Sequence, residues 1–117
     1  MKRYALAAMC AALLLGLLAV PASAYCIYNN SDINLTIQQT QGCRFGQCFD
    51  KGLKPGEKGC CNWKNKGCND KGKRDSVMRF DVFHADWCYC LGVEVNAGGW
   101  LVIKGTHKKI TCTAHYE

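Results

Sequence analysis

The chain has 117 residues, 10 of them cysteine, and 15 Lys and Arg against 9 Asp and Glu. Cysteine at that density in so short a chain argues against a cytosolic enzyme with a large apolar core and for a small exported domain held by disulfides. The positive balance favours anionic partners.

Residues 1–24 read as a cleaved secretory signal peptide: Lys2 and Arg3 are followed by an apolar run over 5–20, and Ala22-Ser23-Ala24 supplies small residues before the cleavage point. The run is short for a membrane span and has no basic stop-transfer flank. Residues 25–117 then form a single cysteine-rich β domain, expected to be secreted or periplasmic. Nine cysteines fall within it: Cys26, Cys43, Cys48, Cys60, Cys61, Cys68, Cys88, Cys90 and Cys112. A core this small yields little net stability, so staples worth about 2–4 kcal/mol each matter. The odd count leaves one thiol free, capped, or joined to another chain, so the domain is a monomer or a disulfide-linked dimer.

Taken in order, residues 25–28 make a short β-type run closed by the turn formers Asn29-Asn30-Ser31-Asp32. Ile33-Asn34-Leu35-Thr36-Ile37-Gln38 alternates apolar and polar, and the two runs together predict a hairpin. Cys43 and Cys48 are close enough to bond locally and pinch a loop or a short strand pair. Leu53-Lys54-Pro55-Gly56 carries a type II turn signal. Residues 62–75 are rich in Lys, Asn, Asp and Gly without periodicity, a long surface loop tied at Cys60, Cys61 and Cys68; loops of that length in compact domains are commonly functional.

Order returns at Ser76. Met78, Phe80 and Val82 face one way and Arg79 and Asp81 the other. From Trp87 the apolar row is Trp87, Tyr89, Leu91, Val93 and Val95, so the parity flips across a turn at His84-Ala85-Asp86. Asn96-Ala97-Gly98-Gly99 is the next turn, ahead of a strand over 100–104. The last run puts Ile110, Cys112, Ala114 and Tyr116 on one face. About seven short strands predict an all-β fold, a small disulfide-stabilised antiparallel β-sandwich or open barrel. The Asn-rich first hairpin and the Leu-x-Pro-Gly turn resemble small secreted β-sandwich proteins, thaumatin-like and aegerolysin-like proteins among them. That resemblance implies a fold and carries no function or site.

The middle of the chain is organised around Cys60-Cys61-Asn62-Trp63-Lys64-Asn65-Lys66-Gly67-Cys68. Adjacent cysteines make a strained ring with each other, so Cys60 and Cys61 should reach different parts of the fold. Cys43 is expected to pair with Cys48, and Cys26 with Cys112, because first and last strands commonly run close together. Cys88 and Cys90 share a strand face, with Cys60 and Cys61 as candidate partners.

Charge is polarised: residues 51–79 hold nine basic and three acidic residues, a net +6. The candidate binding set is the loop's Lys64, Lys66, Lys71, Lys73 and Arg74, with Trp63 and Trp100 as exposed aromatic contacts, while Trp87 and Tyr89 are assigned to the core. Such a patch suits an anionic polysaccharide, a membrane surface or an acidic protein, with nucleic acid not expected; a purely solubilising loop is the plain alternative. For catalysis, His84 lies near Asp81, Asp86 and Ser76, but Gly-x-Ser-x-Gly and His-Glu-x-x-His are missing, and no enzyme is expected. His84, Asp86, Cys88 and Cys90 fall on alternate positions, yet the parity flip breaks that set and the cysteine spacings do not match structural zinc sites; neither metal nor cofactor is expected. The sequence therefore predicts a secreted or periplasmic non-enzymatic binding module that engages an anionic surface or polymer. The alternatives are a small protein inhibitor or immunity-type protein that binds an enzyme, and a secreted toxin or effector.

Overall fold

The computed structural model describes residues 24–116; the signal-peptide assignment falls almost wholly outside them. Among the described residues eight strands run in chain order: β1 (Ala24–Ser31), β2 (Leu35–Gln41), β3 (Asp50–Leu53), β4 (Lys58–Asn62), β5 (Val77–His84), β6 (Trp87–Asn96), β7 (Trp100–Thr106) and β8 (Lys109–His115). They build two four-stranded sheets, β4-β1-β7-β8 and β3-β2-β5-β6. All pairings are antiparallel except β1 with β7, which is parallel. The fold is an all-β sandwich with four disulfides, as the alternation and cysteine content predicted.

Each sheet turns one parity of its strands inward. Tyr25 and Ile27 of β1 and Leu101 and Ile103 of β7 meet Leu35 and Ile37 of β2 and Met78, Phe80 and Val82 of β5, all fully or nearly fully buried. Tyr25, Phe49 and Phe80 form an aromatic centre with ring centroids 5.6–6.1 Å apart in tilted and edge-on geometry. Burial pushes the Tyr25 phenol pKa well above its ordinary value. Glycine is needed at position 59 of β4, because a Cβ there would lie 2.8 Å from Cζ of Phe49.

The expected β1–β2 hairpin does not form. The two strands join different sheets, and the buried Asn29 is the reason. Its Nδ2 donates to the carbonyls of Ile33 and Leu53, both at 2.9 Å, and its Oδ1 accepts from the backbone N–H and the hydroxyl of Ser31. Its backbone N–H donates to Glu57 O at 2.9 Å, and its carbonyl accepts from Gly56 N at 2.7 Å. One side chain thus satisfies the crossover from β1 to β2 and the end of β3, while its backbone holds the Pro55-Gly56 turn. That turn has the expected form, with Gly56 at φ 84° and Glu57 N bonded to Lys54 O. It also crosses between sheets, from β3 to β4.

The alternation places Trp87 and Leu91 in an inward row, but they are 67% and 79% exposed, Tyr89 is only half-buried, and in that row only Val95 is fully buried. The register of β6 against β5 shifts twice, between Phe80 and Val82 and between Val82 and Phe83. Gly92, at φ 63°, anchors the first irregularity by donating its N–H to Asp81 Oδ1 at 2.8 Å. Each extra residue inverts the faces beyond it. The first turns Leu91 outward and sets Cys90 opposite Val82; the second restores the original parity, and Trp87, paired with the exposed His84 at the tip of the β5–β6 hairpin, lies beyond the end of the core.

The disulfides are Cys26–Cys60, Cys43–Cys48, Cys61–Cys68 and Cys90–Cys112, with Cys88 an exposed free thiol. Cys43–Cys48 matches the sequence expectation. Cys26 cannot reach Cys112, since β7 lies between β1 and β8, and strands two apart are separated by about 9–10 Å. Cys26 instead stands directly opposite Cys60 on β4. Cys90 bonds neither Cys60 nor Cys61, because β4 and β6 lie on opposite margins of the sandwich; it bridges to β8, whose edge lies beside that of β6. Cys88 lies beyond the second shift and is bonded to no other described cysteine. One margin of the sandwich is thus closed by Cys90–Cys112 and the other by the β3–β4 turn. Intramolecular disulfides of this number indicate an oxidising compartment.

Candidate binding surface

Residues 63–76 form the loop between β4 and β5, and asparagines give it its shape. Asn62 Oδ1 accepts from Lys64 N and Asn65 Oδ1 from Gly67 N, each at 2.9 Å, two successive Asx turns. Asn69 is fully buried beneath the loop, and its Nδ2 spans it by donating to the carbonyls of Trp63 (2.8 Å) and Lys73 (2.9 Å). The Cys61–Cys68 bridge fixes the same segment to β4, with Cys68 in the core. The polar composition that gave no periodicity is therefore an internal hydrogen-bonding programme.

A second loop is fused to this one. Cys43–Cys48 pinches off Arg44-Phe45-Gly46-Gln47, a turn in which Gln47 N donates to Arg44 O at 2.9 Å and Gly46 takes φ 79°. Positive φ at the third position is the type II requirement that glycine meets without strain. Arg44 N donates to Gly67 O (2.8 Å) and Asp70 N to Gly42 O (2.9 Å), so the two loops share backbone hydrogen bonds. Beneath both lies the buried Gln39: its Oε1 accepts from Phe49 N at 3.0 Å, and its Nε2 donates to Cys68 O at 2.8 Å.

The basic residues assigned from sequence sit on the outside of this unit. Lys64, Lys66, Lys71, Lys73 and Arg74 are all exposed. Lys64 Nζ lies 5.7 Å from the centroid of the Trp63 ring, within cation–π range. The Lys66 stem runs over Gly72, where a methyl group would lie 3.5 Å from its Cε, which brings Lys66 to the Lys71–Lys73 segment. Arg74 covers Gly98 and holds its guanidinium 5.3 Å from the Tyr116 ring centroid. Trp63 is half-buried against the core, an anchor of the loop more than a free contact. Trp100 is not in the loop: it lies on β7, half-buried, with its ring stacked on His115 at 5.2 Å.

Sequence reasoning passed over Phe45. It is the most exposed large apolar residue described, at 103% of its reference area. A signal was present, since a phenylalanine inside a six-residue cysteine loop is too tightly tethered to reach the core.

The remaining candidates are engaged otherwise. His84 Nδ1 lies 2.7 Å from Asn34 O, Asp81 is bonded to Gly92, and Ser76 is buried. Cys90, drawn into the zinc alternative, is committed to its disulfide. Neither a protein-family model nor a curated protein sequence matches this chain.

Proposed function

We propose that this protein is an exported, non-enzymatic binding module that engages an anionic surface or polymer through the stapled basic loop of residues 64–74. One observation carries the reading: five exposed cationic side chains stand on a loop locked from below by Cys61–Cys68, Asn69 and Gln39. A loop already ordered loses little conformational entropy on binding, so its charges act at fixed spacing. Attraction of this kind weakens as salt shortens the Debye length. The four disulfides and the leader-like residues 1–24 support export to a secreted or periplasmic location.

The test is retention on immobilised heparin in a salt gradient. The oxidised protein should bind at low salt and elute as salt rises, and Lys64→Glu, Lys66→Glu and Lys71→Glu combined should abolish retention while near-UV circular dichroism stays native. Unchanged retention of the triple variant would refute the loop as the site. A stoichiometric protein complex insensitive to salt would instead favour the inhibitor reading.

A further inference from the structure

We infer that the Cys43–Cys48 loop is a membrane-inserting prong: Phe45 enters the interfacial region of an anionic bilayer while the neighbouring cations hold the lipid headgroups. The inference rests on the basic-loop reading and names its partner.

Phe45 stands at the second position of a closed turn, and Cys43–Cys48 and the Arg44–Gln47 hydrogen bond prevent it from folding back. Exposure of a complete phenyl ring at the tip of a rigid loop leaves apolar surface in water with nothing among the described residues to cover it. The same rigidity means that little order has to be imposed when the ring is buried elsewhere. The surroundings are cationic. Residues 43–48 and 63–75 together carry six basic residues (Arg44, Lys64, Lys66, Lys71, Lys73, Arg74) and two acidic ones (Asp70, Asp75), a net +4. The hydrogen bonds Arg44–Gly67 and Asp70–Gly42 make the two loops one body, which holds the ring at a fixed spacing from the charges. Arg44 directly precedes Phe45, and the half-buried Trp63 adds an amphipathic aromatic ring to the same unit.

This combination suits a fluid anionic surface. A single ring projecting from a polar turn needs an apolar medium but no matching cavity, and an acyl boundary beneath phosphate headgroups provides both that medium and the counter-charge. An anionic polymer would satisfy the lysines and leave the ring in water. A hydrophobic pocket on a protein would take the ring without needing the cations.

The test is sedimentation of the oxidised protein with vesicles of phosphatidylglycerol and phosphatidylcholine in equal parts, compared with phosphatidylcholine alone. Binding is expected only to the anionic vesicles. Phe45→Ala should weaken partitioning about tenfold, and Phe45→Leu should restore most of it. Phe45→Trp should give tryptophan emission quenched by brominated lipid beyond the quenching of the parent protein. Heparin retention of Phe45→Ala should equal that of the parent, and an unchanged near-UV circular dichroism spectrum shows that the variant is folded. If Phe45→Ala partitions as the parent does, insertion is refuted and the basic loop stands. If the parent ignores anionic vesicles but is held by heparin, the lipid assignment is refuted and the charge reading survives. If the triple Lys→Glu variant matches the parent on both supports, both readings fall together.

Discussion

Replacement of Asn29 by Ala tests the account of the fold at its most connected point. The side chain is fully buried and makes four hydrogen bonds, to the carbonyls of Ile33 and Leu53 and from the N–H and hydroxyl of Ser31. Truncation takes this partner from the Leu53 carbonyl and the Ser31 amide, while the Ser31 hydroxyl and the Ile33 carbonyl keep each other at 3.2 Å. At about 1–2 kcal/mol for each buried group so orphaned, the loss is about 2–4 kcal/mol. With a urea slope of about 1.5 kcal/mol/M for a domain of this size, the unfolding midpoint should fall by about 1.5–2.5 M. Asn29→Asp keeps the acceptor and loses both donors, so it should fall nearly as far. Equilibrium urea unfolding with the disulfides intact, followed by fluorescence, measures both. A loss under about 1 kcal/mol for Asn29→Ala would refute the claim that this residue keys the crossovers between the sheets.

Two further outcomes follow from the same structure. Loss of the Cys90–Cys112 bridge by double Ser substitution should cost about 3 kcal/mol, and loss of Cys43–Cys48 about 2 kcal/mol, because the closed segments differ in length, with sequence separations of 22 and 5; urea midpoints in the reverse order would contradict this. Burial raises the Tyr25 phenol above its unfolded value of 10.0, so above about pH 10 the unfolded chain releases a proton that the native state retains. Stability should therefore fall as pH rises beyond 10, and Tyr25→Phe, which gives up only a 3.4 Å contact to Gln39, should flatten that fall in alkaline unfolding curves. An identical alkaline slope in both proteins would show that Tyr25 does not set it.

The sequence by itself determined the class of the fold. Alternation in β2 and β5 and an absence of helical periodicity specify strands, because a period of two is readable wherever one face is buried. The cysteine density specified a stapled domain, and the separation of only 5 between Cys43 and Cys48 made their pairing a local matter. The exposed lysines of residues 64–73 were legible for the same reason, since a charged run has no buried alternative. What escaped was long-range. The Asn29-Asn30-Ser31-Asp32 signal reads as a hairpin turn, and only the distant carbonyl of Leu53 and the turn at Gly56 show that Asn29 joins sheets instead. Leu91 lies outside the core because the bulge that displaces it arises from the pairing of β6 with β5, which leaves no mark in the local pattern, and Trp87 because the pairing puts it at the exposed hairpin tip opposite His84. Partners such as Cys26 with Cys60 and Cys90 with Cys112 depend on strand order, and strand order is decided by how two sheets cover one another. The fusion of the Phe45 loop to the basic loop belongs there too: hydrogen bonds between residues 44 and 67 and between 42 and 70 are made by backbone, and backbone contacts carry no side-chain signature in a sequence.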